Sequence, residues 1–148
     1  MLGFLGLGAF GGGGALSISP SGRLLGMPLA LLAHSPFHDF LVPGLILFAL
    51  LGVAPCLLVV ALLKKPASSF ADRLNFCPDM HWAWTGSIYV GFALIGWIQI
   101  EMMFIHAVSW LHTFYMFLAV AILFVALLPS VRASYKKQEP KSPLPTTR

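Results

Sequence analysis

Four stretches of this chain are almost continuously apolar, and its polar residues are gathered between and after them. The stretches run over about residues 2–18, 40–63, 82–105 and 110–128. A bilayer core about 30 Å thick is crossed by about 20 apolar residues in helix, so each stretch is read as a transmembrane helix. The pattern predicts an all-α membrane protein, four transmembrane helices in an antiparallel bundle over residues 1–129. Backbone groups in lipid must bond within their own segment, which is why helix is the reading for long apolar runs.

The connections differ in character. The longest lies between the first two spans and opens on the turn signal Ser19-Pro20-Ser21-Gly22. Leu24 to Ala33 is too short and too interrupted by proline to cross, so a short interfacial helix on the outer face is expected there. Ser35-Pro36 then opens the second helix, with His38 and Asp39 in its first turn, where a carboxylate suits the helix dipole. Pro55 falls mid-span and denies the Leu51 carbonyl its partner, which predicts a kink. Ser69 to Leu74 is expected to form one amphipathic turn, and Pro78-Asp79 to open the third helix. His106 to Ser109 joins the third and fourth spans as a helical hairpin. The segment 130–148 is basic, carries Pro140, Pro143 and Pro145, and is expected to be a disordered cytoplasmic tail.

Seven glycines in the first eighteen residues would destabilise a helix in water by about 1 kcal/mol each relative to alanine. In lipid they allow close backbone approach. Gly8 and Gly12, or Gly11 and Ala15, lie four apart and form a stripe without side chains, and Gly86, Gly91 and Gly96 offer similar positions in the third span. Such faces point to packing against a second copy of the chain or another membrane protein.

Composition agrees with the pattern. Of the 148 residues, 58% are hydrophobic and 9% charged, where soluble domains carry about 25% charged residues. The bilayer is therefore the first partner, and no stretch is left for a separate soluble domain. The net charge of +4 is distributed unevenly. With four spans, Lys64, Lys65, Arg73, Arg132, Lys136, Lys137, Lys141 and Arg148 share one side of the membrane, and Arg23 alone lies on the other. The positive-inside rule then places both termini in the cytoplasm. No folded basic surface with interleaved aromatics is present, which argues against nucleic-acid binding. Cys56 and Cys77 lack any CxxC spacing, so no disulfide is expected.

Glu101 is the only carboxylate inside an apolar span. An intramembrane carboxylate is a functional candidate by default, and this one lies near the end of its helix, where burial costs less than the roughly 2.5–3.5 kcal/mol of a helix centre. The topology gathers His34, His38, Asp39, His106 and His112 on the same, outer side. Glu101, His106, His112, His38 and Asp39 are thus candidates for a proton, cation or ligand site. Trp97 shares the Glu101 face and Gln99 does not. A purely structural reading stands beside it: Ser109 caps the fourth helix, His112 occupies its first turn, and Glu101 bonds a neighbouring helix. No metal site is expected, because His106 and His112 lie six apart and Pro36 separates His34 from His38. No serine elbow or Cys/His pair suggests a nucleophile, and no cofactor is implied. Trp97, Trp110 and Tyr115 suit an aromatic belt, or the edge of a site for a lipid or quinone headgroup.

The glycine-rich first helix, Pro20-Ser21-Gly22, Gly26-Met27-Pro28, Ser35-Pro36-Phe37 with Asp39, Phe40, Pro43 and Gly44, and Ser109-Trp110-Leu111 with Tyr115 resemble a family of small, uncharacterised bacterial integral membrane proteins. The resemblance implies four helices in a bacterial cytoplasmic (inner) membrane and brings no activity or site residue with it. It also concentrates on the first connection, which suggests an ordered cap over the bundle. The expected function is that of a non-enzymatic structural or accessory membrane subunit. The alternative is a small transporter or binding protein for protons, cations or a hydrophobic ligand.

Overall fold

The computed structural model describes residues 1–106 and 108–137. Among these the chain is helical, and the one pairing of extended type is an isolated bridge between Met80 and Lys136. Helix α1 spans Leu2–Ile18, α2 Leu41–Lys64, α3 Ser69–Arg73, α4 Trp82–Ile105, α5 Trp110–Leu127 and α6 Pro129–Tyr135. Three of them, α2, α4 and α5, are long and apolar enough to cross a membrane. Helix α1 is equally apolar but has 17 residues, about 25 Å of helix.

Helix α4 is the centre of the packing. Trp84, Ser87, Ile88, Gly91, Leu94 and Ile98 recur at helical spacing along its buried side. Val90, Leu94 and Ile98 join Leu5 and Ala9 of α1, Leu51 and Leu58 of α2, and Ala119 and Ile122 of α5 in one core. Gly86 and Gly91 admit the side-chain ends of Leu58 and Leu123 of the same chain.

The glycines that bring α1 against a neighbour are not Gly8 and Gly12. A β-carbon on Gly13 would lie 2.5 Å from the Phe48 nitrogen, and one on Gly6 would lie 2.6 Å from Cys56 Sγ. On the facing helix, one on Gly44 would lie 2.8 Å from Leu16 Cβ, and one on Gly52 2.9 Å from the Phe10 nitrogen. The close seam therefore runs through Gly6, Ala9 and Gly13 at spacings of three and four, inside the chain. A β-carbon on Gly8 would meet only the Tyr115 hydroxyl at 3.1 Å, one on Gly12 only Leu47 at 4.0 Å, and one on Gly11 nothing.

Where a kink was expected, a π-helical stretch, Leu47–Val53, is inserted in α2 just ahead of Pro55. Proline supplies no N–H and crowds the turn before it, and widening that turn to i+5 bonding relieves the crowding. Pro55 itself is fully buried.

Two further expectations are corrected. Instead of an interfacial helix over Leu24 to Ala33, the chain makes two 3-10 turns, Arg23–Leu25 and Leu29–Leu32. Gly26 at φ +66° and the extended Pro28 break any longer helix. The segment is nonetheless held. Gly22 at φ +74° leaves no room for a β-carbon, which would meet the Met27 carbonyl; Phe40 N–H donates to the Pro20 carbonyl at 2.9 Å; and Leu16, Leu32 and Phe40 form a small buried cluster. The other correction concerns the tail, which is helical over Pro129–Tyr135. Val131 and Tyr135, four apart on one face, pack on Met80, Trp84, Ile88 and Ala126, and the Tyr135 carbonyl accepts from His81 N–H at 2.8 Å. Buried apolar contact, not propensity, orders so short a helix. Residues 138–148 of the expected tail lie outside the described residues.

Candidate functional site

The fold has two polar clusters. Contacts with the segment 130–137 and its neighbours gather Lys65, His81, Arg132 and Lys137 at the basic end, and His34, His106, Glu101 and His112 approach one another at the histidine end. Glu101 extends the buried side of α4 by one turn past Ile98, and its side chain keeps 30% of its surface exposed. Across the cleft His112, in the first turn of α5, is only 11% exposed and brings Nε2 to 3.9 Å from the Glu101 carboxylate.

Local sequence sets the orientation of that imidazole. Ser109 precedes α5, and its N–H donates to His112 Nδ1 at 3.0 Å, with the Ser109 hydroxyl 3.1 Å from the same nitrogen. An Nδ1 that accepts a backbone N–H carries no proton, so the proton of the neutral ring resides on Nε2, the nitrogen facing Glu101. Ser109, His112 and Glu101 thus form a chain of polar contacts from the start of one helix to the end of another. The spacing Ser109-x-x-His112 was legible as a cap, while the link to Glu101 joins positions eleven apart across a turn.

Two apolar cavities meet at Glu101. The larger, about 600 Å³, lies between α2 and α4 under Leu32, Phe37 and Phe40. The smaller, about 520 Å³, lies among α1, α4 and α5 and reaches Ser109, His112 and Tyr115. Met27, Leu47, Trp97, Glu101 and Ile105 line both. These volumes are in the range of small-molecule sites, which are mostly apolar with a few placed polar groups. The carboxylate and the imidazole are those groups here.

The other expected site residues fall elsewhere. Asp39 Oδ1 accepts from Leu41 N–H at 3.0 Å, a local bond just ahead of α2, whose N-cap is Phe40. His38 is exposed. His106 ends α4 at φ +52°, and its ring lies 4.5 Å from that of His34, centre to centre. Trp110 is 73% exposed, whereas Trp97 and Tyr115 line the cleft. Among the described residues no three His, Cys, Asp or Glu side chains converge as a metal-ligating group.

Comparison with known proteins found no match to any family model, curated protein or solved structure. The geometry of the cleft is therefore the ground for a functional reading.

Proposed function

We propose that this chain is a four-span protein of a bacterial inner membrane, with both termini cytoplasmic, that holds a small amphiphilic molecule in the cleft around Glu101. The ligand has an apolar body and a head that donates hydrogen bonds or carries positive charge. The single observation behind this reading is one carboxylate, paired with an oriented imidazole, at the junction of two apolar cavities. A carboxylate in an apolar cleft is costly unless something recovers its lost hydration, and a cationic or hydroxylated head does so. The uneven distribution of Lys and Arg supports the orientation, which sets the histidine end outside.

Binding is favoured over an accessory role in assembly because the glycines of closest approach, Gly6 and Gly13, already pack against α2 of the same chain. Native mass spectrometry from nanodiscs tests the reading. Wild type is expected to retain a stoichiometric small molecule that Glu101→Gln, which keeps the shape and removes the charge, loses. A wild-type chain without adduct, or equal retention by both proteins, contradicts it.

A further inference from the structure

His34 and His106 are 72 positions apart in sequence, and the fold brings their rings to 4.5 Å, inclined at 60° to one another. Both side chains belong to exposed residues, so solvent can complete a coordination shell around them. His106 holds a left-handed backbone, φ 52°, at the end of α4. A left-handed residue is a common way for a helix to end, histidine is among the residues enriched in that conformation, and Lys65 ends α2 in the same way.

We propose that His34 and His106 form a two-imidazole site for a divalent transition-metal ion, with Cu(II) the best fit. A metal–nitrogen bond of about 2.0–2.1 Å puts each ring centre about 3.2 Å from the ion. Two rings at a right angle about the metal are then about 4.5 Å apart, and at the tetrahedral angle about 5.2 Å. The ring separation leaves room for both imidazoles to turn one nitrogen each onto cis positions of a tetragonal shell, the geometry of Cu(II) and Ni(II), and Cu(II) also heads the affinity order of the divalent ions. Two imidazoles and solvent make a moderate site, in keeping with the absence of a third convergent ligand among the described residues.

Such an ion joins the two sides of the larger cavity. His34 follows the 3-10 turn that carries Leu32, and Phe37 meets Phe104 edge-on, their centres 6.2 Å apart. Leu32 and Phe37 roof the cavity, and Phe104 and Ile105 wall it. Metal on His34 and His106 fixes roof to wall. The site itself does not depend on an amphiphile occupying the cleft.

The test is Cu(II) titration of the full chain in nanodiscs, read by calorimetry and by electron paramagnetic resonance. Wild type is expected to bind one ion with hyperfine splitting from two imidazole nitrogens. His34→Ala and His106→Gly, the latter suited to a left-handed backbone, should each weaken binding roughly tenfold or more, since even second-shell changes at metal sites cost that much. His38→Ala should bind as wild type. Circular dichroism confirms that the variants remain helical. Unchanged binding in His34→Ala and His106→Gly, loss in His38→Ala instead, or a spectrum without two imidazole nitrogens overturns the assignment.

Discussion

The two ends of this molecule treat their polar groups in opposite ways. At the basic end, helices α2 and α5 finish, and their last carbonyls are met by side chains from other elements. Trp84 Nε1 donates to the Ala126 carbonyl at 2.7 Å, and the Tyr135 hydroxyl to the Leu62 carbonyl at 3.2 Å. Trp82 Nε1 reaches the Pro66 carbonyl and Lys65 Nζ the Ser134 carbonyl, both at 2.8 Å. His81 Nε2 is the exception, a buried nitrogen without a partner among the described residues. At the histidine end, among the described residues, α1 and α4 finish on local bonds, Ser19 N–H to the Ala15 carbonyl and His106 N–H to the Met102 carbonyl. The imidazoles and the carboxylate there face cavities or solvent. Side chains from other elements hold the helix carbonyls of one end, while at the other a backbone bond, Phe40 N–H to the Pro20 carbonyl, ties the first connection and Glu101 and His112 line a cavity.

The largest break in this contrast comes from Trp84. Helix α5 ends with Leu128 N–H turned back to the Val125 carbonyl, and the Trp84 indole supplies a donor to the carbonyl of Ala126 in that last turn from a site 3% exposed. Its ring also underlies Arg132, 5.9 Å away. Trp84→Ala removes a buried aromatic and orphans a buried carbonyl, so a loss of about 3–5 kcal/mol is expected. Denaturant unfolding in detergent reads it. A loss below that of His112→Ala would refute the idea that the basic end holds the fold.

Asn75 gives the next effect. Its amide donates to the Met80 carbonyl at 2.7 Å, while its oxygen accepts from Cys77 N–H at 3.1 Å and from the Thr85 hydroxyl. Thr85 is 1% exposed and sits in the packed face of α4. Asn75→Ala should cost about 1–3 kcal/mol by leaving buried groups unpaired. Adding Thr85→Val removes the orphaned hydroxyl, so the double variant should be more stable than Asn75→Ala alone. Additive losses would show that the two side chains do not work together.

Much of this fold was legible in the sequence. Helix positions followed from apolar runs whose length is set by the bilayer, and Pro55 marked the place where α2 leaves regular geometry. The glycine seam was misplaced because a spacing of four suggests a stripe, whereas the real contact uses Gly6, Ala9 and Gly13, chosen by which side of α1 meets Gly44 and Gly52. The helical start of the tail was missed because composition reports charge and proline, while Val131 and Tyr135 are ordered by residues some fifty positions away. At the candidate site, Glu101 stood out as a lone carboxylate. Its pairing with His112, and that of His34 with His106, depend on packing across elements, which local spacing does not encode.

The smallest expected effect sharpens the comparison most. Lys137 Nζ lies 2.8 Å from Asp72 Oδ1, with the two side chains 42% and 37% exposed. An ion pair so open to water is screened and contributes about 0–1 kcal/mol. Lys137→Ala should therefore change unfolding by less than about 1 kcal/mol, and added salt should reduce even that. The Lys137 N–H, which donates to the Asp79 carbonyl at 2.7 Å, remains in the variant and keeps the strand-like contact beside Met80. A loss as large as that of Trp84→Ala would mean that charge pairing anchors the basic end. The expected near-neutral result assigns that work to buried aromatic donors on helix carbonyls, of which the histidine end has none among the described residues.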